Sequence, residues 1–189
     1  EDAGMKYIVI TSKHHDGFAM YHSAVSKYNI YDATPFHRDP LKELAEACAR
    51  HKIRFGFYYS QAQDWHEANG AGNTWDFGPD DKKDYDQSLR GKAEPQVKEL
   101  LTNYGPVCLI WFDTPRMITK ERGQRFIDIV HSLQPATLID GRLGIEGDYR
   151  SMGDNAIPNQ VVAGDWEVPA TLNHTWGFKK DDTDWKSPE

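Results

Sequence analysis

Two acidic residues stand where apolar runs of the sequence end. Asp113 directly follows the run 107–112, and Glu167 closes the segment 164–167, where a tryptophan again precedes an acid. Trp111 lies two residues before Asp113, so the period of two along a strand places ring and carboxylate on one face. Two carboxylates beside aromatic rings suit hydrolysis of a glycosidic bond, because one attacks the anomeric carbon while the other protonates the leaving oxygen. A turn or helix N-cap role for Asp113 is the alternative that the sequence leaves open.

Adjacent histidines follow the first predicted strand, in the segment 13–18. Metal ligands on a strand end favour alternate positions, because neighbouring residues on a strand point to opposite faces. The pair therefore favours hydrogen bonding, and at a bend His14 and His15 can both converge on the hydroxyl groups of a sugar. A metal site that combines them with Asp16 and His66 is the alternative. If the pair has no functional role, the expected arrangement is one histidine in the core and one on the surface.

Two further motifs follow predicted strands. In the segment 56–60, alternation turns either Tyr58 or Tyr59 toward the interior of a barrel, where a carboxylate is a suitable partner for its hydroxyl. Simple strand propensity also explains two tyrosines in a row. Arg142, flanked by glycines in the segment 141–144, can reach a carboxylate or a sugar hydroxyl.

The elements that must position these residues alternate between strands and helices. Apolar runs predict strands at 7–11, 53–59, 107–112, 137–139 and, more weakly, 161–163. Apolar residues at helical spacing predict helices at 40–51 with Asp39 as N-cap, from Glu94 or Gln96 to Tyr104, and at 120–133 with Thr119 as N-cap. Strand–helix–strand repeated in this way predicts parallel strands with right-handed crossovers.

The predicted fold class is α/β, and we expect a (β/α)8 TIM-like barrel rather than an open doubly wound sheet. No glycine-rich phosphate loop follows any strand, and the loops after the first two strands, 12–39 and 60 to about 93, are long. Long loops on the carboxyl side of the strands are typical of the active face of a barrel. Because a complete barrel needs about 250 residues, we expect 1–189 to be one domain that forms an incomplete fragment of a catalytic barrel.

The composition narrows the class of partner. The formal net charge of −7 argues against nucleic acid, and the sequence has no apolar run of the length of a membrane span. Aromatic residues make up 12% of the chain, which suits a site that stacks against sugar rings. Cys48 and Cys108 are interpreted as small buried hydrophobic residues.

Five segments occur in a characteristic order: 13–18 (KHHDGF), 56–60 (GFYYS), 111–113 (WFD), 141–142 (GR), and the stretch from 166–167 (WE) to 176–178 (WGF). In order and approximate spacing they resemble the family 29 α-L-fucosidases over nearly the whole chain. The resemblance implies a retaining exo-glycosidase on a (β/α)8-like barrel that removes terminal α-L-fucose from an oligosaccharide or glycoconjugate without a cofactor or metal.

The resemblance also assigns roles. It implies Asp113 as the nucleophile and Glu167 as the acid/base, with Glu146 as the second choice for the acid/base. The residues that it implies to line the fucose pocket are His14, His15, Tyr58, Trp111 and Arg142. A secreted or periplasmic location, and completion of the barrel by further chain or by a homo-oligomer, are further expectations. The alternatives are a metal-dependent barrel hydrolase that uses the His14/His15 cluster and a non-catalytic fucose-binding remnant.

Overall fold

The computed structural model of the protein describes residues 2–187. Its main element is a four-stranded parallel sheet, whose strands are β1 (Tyr7–Lys13), β2 (Arg54–Tyr59), β3 (Leu109–Phe112) and β4 (Leu138–Ile139). They pair in the order of the chain, β1–β2–β3–β4. Because all four run in the same direction, their carboxyl ends lie along one edge, where the candidate residues follow the strands.

Two helices begin and end where the sequence predicts. Helix α1 (Pro40–His51) begins with proline in its first turn, and the Asp39 side chain accepts the backbone N–H of Lys42. Helix α4 (Lys120–Leu133) is capped by Thr119. Both predicted boundaries are therefore confirmed, and each helix buries one apolar stripe. The apolar stripes consist of Leu41, Ala45 and Cys48 in α1 and of Gly123, Phe126 and Val130 in α4.

The helix before β3 is longer than predicted. Helix α2 (Tyr85–Ser88) continues through a π-helical segment (Leu89–Ala93) into α3 (Glu94–Asn103). The prediction of a loop that extends to about residue 93 is therefore wrong. Pro95 lies where the π segment passes into α3; it has no N–H to donate to the preceding turn, and a π turn accommodates such an interruption.

The two faces of the sheet differ in character. Alternate residues of β2 and β3, Phe57, Tyr59, Ile110 and Phe112, are fully buried under the helices. The ring of Phe112 lies 5.3 Å from that of Phe126 in α4. The residues between them point to the opposite face and are only half-buried. The candidate site residues of β2 and β3, Tyr58 and Trp111, therefore lie on the opposite face.

The fifth predicted strand is wrong. Residues 161–163 form no strand, and the side chain of Val161 is fully exposed. The strand in this region is β6 (Trp166–Glu167), which pairs in parallel with β5 (Arg150–Ser151). Strand propensity decides little where no partner strand lies alongside, because a strand is stabilised by its cross-strand contacts. The pair belongs to a second compact unit, residues 149–187, whereas the four-stranded sheet lies in residues 2–148.

The fold is α/β with parallel strands, as predicted. Among residues 2–187 the four-stranded ladder ends at β1 and at β4. Closure into a barrel, and the assignment of all 189 residues to one domain, stay predictions. No helix in the described part of the chain has the length and apolar character needed to cross a membrane.

Candidate active site

Asp113 directly follows β3, and the backbone at this point is constrained. Its N–H is directed at the carbonyl of Tyr59 at 3.2 Å and at Oε1 of Gln61 at 2.9 Å. The next residue, Thr114, has φ +56°, a left-handed conformation that β-branched side chains rarely adopt. Strained residues of this kind cluster at functional sites. The carboxylate of Asp113 is therefore fixed in place at the sheet edge.

Three side chains from three other strand ends converge on this carboxylate. The Tyr58 hydroxyl donates to Oδ2 of Asp113 at 2.5 Å, and Nη1 of Arg142 donates to Oδ1 at 3.2 Å. Nε2 of His15 lies 3.5 Å from Oδ2. Tyrosine hydroxyl and guanidinium are both donors here, which is the environment that binds an ionised carboxylate. The structure thus brings together Asp113, Tyr58, Arg142 and His15, four of the residues to which the resemblance assigns roles.

Aromatic rings extend along the same face. Tyr58 and Trp111 are register partners on β2 and β3, and their rings stack at 5.4 Å. On the other side of Tyr58 lies the ring of His14, at 5.3 Å and nearly parallel. Cζ of Arg142 lies 4.6 Å from the centre of the Trp111 ring. The groups His14, Tyr58, Trp111 and Arg142 thus form one stacked row on the same face of the sheet as the carboxylate.

Tyr58, rather than Tyr59, faces this site. Tyr59 points to the helix side of the sheet, where its hydroxyl donates to Oε1 of Gln96 in α3 at 2.8 Å. Strand alternation alone left the choice open, since it gives no indication of which face the helices cover, whereas the resemblance named Tyr58. The structure decides it through the core packing of Phe57 and Tyr59.

His15 is the neutral member of the group. Burial, together with the neighbouring His14, lowers its pKa to about 4 although Asp113 acts in the opposite direction. Its Nδ1 lies 2.7 Å from Oγ of Ser60. The Ser60 hydroxyl has a single proton, which it donates to the carbonyl of Gln63 at 3.0 Å. Nδ1 of His15 therefore carries the ring proton and donates to Oγ of Ser60, which leaves Nε2 unprotonated. Nε2 of His15 can then accept one hydrogen bond from a sugar hydroxyl.

Ser60 and Gln61 are functional candidates that the sequence reasoning missed. Gln61 is buried, and it joins two site residues because its Oε1 accepts from the N–H of Asp113 while its Nε2 donates to the carbonyl of Arg142 at 3.2 Å. The feature of the sequence that could have indicated them is their position, because both directly follow β2 at the sheet edge where the other site residues lie. Neither residue type by itself indicates such a role.

A buried ionic cluster fixes the histidine loop to the loop after β2. Oδ2 of Asp64 lies 3.0 Å from Nζ of Lys13 and 2.9 Å from Nζ of Lys92, which comes from the π segment. Burial lowers the pKa of Lys13. Burial acts to raise the pKa of Asp64, but the two ammonium groups outweigh it and lower this pKa. Gly17 packs so closely that an added Cβ would lie 2.1 Å from Oδ1 of Asp64.

The two acid/base candidates lie in different parts of the chain. Glu146 is exposed in the loop that follows β4, in the same compact unit as Asp113. Glu167 is half-buried on β6, within the second unit, where its carbonyl accepts from the N–H of Met152 at 3.0 Å. The choice of Glu167 over Glu146 stays a prediction.

The site also contains a trio of potential metal ligands. Within residues 2–187, one ligand atom each from His14, His15 and Asp113 lies within 4.8 Å of the others. Asp16 and His66, which the metal alternative included, are not part of it: Asp16 accepts from the N–H of Phe18, and His66 stacks on a tyrosine ring. The guanidinium of Arg142 already supplies positive charge to Asp113, which argues against a cation at the same carboxylate.

Comparisons with known proteins agree on one family. A sequence model described as alpha-L-fucosidase matches residues 1–189. Tissue alpha-L-fucosidase of Mus musculus is 30% identical over 199 residues, which cover 96% of this chain and 41% of that protein. Plasma alpha-L-fucosidase of Homo sapiens is 30% identical over 194 residues, 95% of this chain and 39% of that protein. The chain thus spans about two fifths of the length of these relatives.

Solved structures give the same result. An alpha-L-fucosidase from Lactobacillus casei in complex with alpha-L-fucose product superposes with a TM-score of 0.90 at 47% identity, over 98% of this chain and 62% of that one. A variant of that enzyme, 46% identical to this chain with a TM-score of 0.89, was solved in complex with Fuca(1,6)GlcNAc, again over 98% of this chain and 62% of that one. An alpha-L-fucosidase from Vibrio sp. strain EJY3 reaches a TM-score of 0.90 at 38% identity, over 98% of this chain and 34% of its own.

Proposed function

The chain belongs to the alpha-L-fucosidase family, and we propose on this basis that it carries the nucleophile and the fucose pocket of a retaining exo-α-L-fucosidase. The observation that carries the proposal is the carboxylate of Asp113, which is held by donors from Tyr58 and Arg142 and lies 3.5 Å from His15 at the carboxyl edge of a parallel sheet. The stacked rings of Tyr58 and Trp111 lie beside it, and their C–H edges suit contact with the apolar parts of a 6-deoxy sugar.

In the first half of the proposed reaction, an oxygen of Asp113 attacks C1 of the fucosyl unit. The C1–oxygen bond of the leaving group breaks, its electron pair stays on that oxygen, and Glu167 supplies the proton. The guanidinium of Arg142 and the hydroxyl of Tyr58 hold the carboxylate in position. Neutral His15 and its neighbour His14 form hydrogen bonds with the sugar hydroxyls.

In the second half, Glu167 takes a proton from water, and the water oxygen attacks C1 from the opposite side to Asp113. The bond between C1 and Asp113 breaks, and the carboxylate regains its negative charge under the hydrogen bond of Tyr58. Two inversions give fucose with retained configuration. Retaining enzymes hold their two catalytic carboxyl groups about 5–5.5 Å apart.

The fold proposal follows from the same arrangement. We propose that β1–β4 and their helices form half of a (β/α)8 barrel, with the half-buried face of the sheet as the barrel interior. Active sites of such barrels lie at the carboxyl ends of the strands, where Asp113 and its partners are found. The proposed substrate is a terminal fucose on an oligosaccharide or glycoconjugate. The Lactobacillus casei relative was solved with Fuca(1,6)GlcNAc, which makes this disaccharide the first natural substrate to try.

Azide rescue tests the nucleophile and the acid/base together. The protein is expressed with any residues that precede or follow these 189, and 4-nitrophenyl α-L-fucoside is the substrate. Asp113→Gly should lose nearly all turnover, and azide should restore it with formation of the β-fucosyl azide, because a single displacement inverts C1. Glu167→Ala should retain more activity on this substrate, and azide should then give the α-fucosyl azide.

Glu146→Ala is the matched control and should behave as the wild type. Formation of the α-fucosyl azide by Glu146→Ala in the presence of azide, and not by Glu167→Ala, would indicate that Glu146 is the acid/base. Unchanged turnover in Asp113→Gly would contradict the proposal. The trio His14, His15 and Asp113 keeps a metal-dependent hydrolase as the second candidate. Loss of wild-type turnover in EDTA, with recovery on addition of a divalent metal, would favour it.

A further inference from the structure

Two tryptophans in the loop after β2 have large exposed surfaces. Trp65 is 37% exposed and Trp75 is 66% exposed, and their rings meet edge to face at 5.8 Å. We call them the tryptophan pair. Exposing indole rings to water is unfavourable, because the apolar area stays hydrated. The candidate active site described above makes no use of either ring.

The tryptophan pair is directly connected to the site. The ring of Trp65 lies 6.0 Å from that of His15, and the backbone N–H of Trp65 donates to the carbonyl of His15 at 2.8 Å. Exposure rises along this line: the side chains of Asp113 and His15 are 14% and 15% exposed, whereas the two tryptophans are 37% and 66% exposed. The pair thus leads from the buried carboxylate toward solvent.

The loop that carries the pair is held in one conformation by buried polar contacts. The side-chain amide of Asn73 donates to the carbonyl of Trp65 at 2.7 Å. Nζ of the buried Lys83 donates to the carbonyls of Gly70 and Asn73 at 2.9 and 2.8 Å, and it pairs with Asp80 at 3.0 Å. A surface that is fixed before binding costs less entropy to use, so the loop has the rigidity of a binding surface.

We propose that the tryptophan pair binds the sugar to which the fucose is attached, by stacking against the face of its pyranose ring. The inference rests on the proposed function. An exo-acting enzyme holds the terminal fucose at the carboxylate, so the rest of the substrate must extend along the path to solvent. Indole rings are neutral and flat, which suits the C–H-rich face of an uncharged hexopyranose such as N-acetylglucosamine.

Substrates with and without a second sugar isolate this contact. α-L-Fucosyl fluoride has a single atom as its leaving group, whereas Fuca(1,6)GlcNAc carries a full pyranose ring. In the protein expressed with any flanking residues, Trp75→Ala should raise KM for the disaccharide about tenfold, the effect of losing an aromatic contact. The kcat/KM for the fluoride should stay within twofold of the wild-type value, and Trp75→Phe should restore most of the lost affinity.

The control is Leu133→Ala, which removes a partly exposed apolar side chain at the end of α4 and should leave KM and kcat for both substrates unchanged. An unchanged KM for the disaccharide in Trp75→Ala would overturn the proposal, as would an equal effect on both substrates. Failure of the proposed function is distinct, since the wild type would then leave the fluoride intact.

A binding measurement tests, without turnover, whether the tryptophan pair binds the second sugar. In the Asp113→Asn background, calorimetry should show Fuca(1,6)GlcNAc binding more tightly than fucose, and Trp75→Ala should abolish the difference. Equal affinities for the two sugars in the parent, or a difference that survives in Trp75→Ala, would reject the tryptophan pair as the subsite.

Discussion

Replacing Tyr58 by phenylalanine removes one oxygen from the site while the stacked rings stay in place. That oxygen donates to Oδ2 of Asp113 at 2.5 Å. A hydrogen bond to a charged group contributes about 1.5–3 kcal/mol. Only the part gained in the transition state affects the rate. In the proposed reaction the carboxylate regains its charge when the glycosyl–enzyme bond breaks, so the loss should fall mainly on this second step.

The expected decrease in rate follows from the same range of hydrogen-bond energies. If most of that energy is lost in the second step, the rate of this step falls about 10- to 150-fold. With 4-nitrophenyl α-L-fucoside, whose leaving group departs easily, kcat of Tyr58→Phe should fall by this factor. The value of kcat/KM should fall less. Rapid mixing should show a larger initial burst of nitrophenol than in the wild type, because the glycosyl-enzyme accumulates.

Tyr59→Phe is the matched control on the opposite face of the same strand. Its hydroxyl donates to Oε1 of the fully buried Gln96 at 2.8 Å. Removing it deprives a buried acceptor of its donor, which costs about 1–3 kcal/mol of unfolding free energy. We expect a lower Tm with kcat unchanged below the transition. A folded Tyr58→Phe whose kcat lies within twofold of the wild-type value would refute the assignment of Tyr58 to the reaction.

Three further predictions concern stability. Gly56→Ala should lower the free energy of unfolding by about 1–3 kcal/mol in urea titrations, because the added Cβ would lie 2.6 Å from the carbonyl oxygen of Leu109; an unchanged midpoint would contradict the close strand approach. Asp64→Asn should cost about 3–5 kcal/mol, since it leaves the buried Lys13 without its carboxylate partner, whereas Lys92 keeps Glu67 at 3.1 Å; a loss below 1 kcal/mol would refute the cluster. The pKa of His15 is about 4 in the folded protein and near 6.5 when unfolded, so its contribution to stability is present above pH 6.5 and declines as the pH falls toward 4. Unfolding of His15→Asn measured across this range should depend less steeply on pH, and an identical slope would reject the shift.

The helices and the order of the elements could be predicted from the sequence because their signals are local. Asp39 and Thr119 accept the first-turn N–H groups as predicted, and the apolar stripes of α1 and α4 follow from the 3.6-residue period. The failure at residues 161–163 has the opposite cause, since a strand needs a partner and Val161 has no ladder beside it. The helix from Tyr85 was missed because Pro95 looks like a helix start.

The chemical types of the site residues and the strand ends that carry them could be predicted without the structure: the acid after β3, the histidines after β1, a tyrosine on β2 and the arginine after β4. The period of two fixed Trp111 and Asp113 on one face, because that relation depends only on neighbours along the chain. The ordered motifs added the family.

The contacts that hold Asp113, and the face of the sheet on which Tyr58 lies, depend on the tertiary structure. The Tyr58 hydroxyl and the carboxylate are 55 residues apart in the chain, and Gln61 joins residues 52 and 81 positions away. Such contacts depend on the register between strands and on which face the helices cover. Both are set by packing over the whole sheet rather than by any local pattern, and this is why Ser60 and Gln61 became visible only in the folded chain.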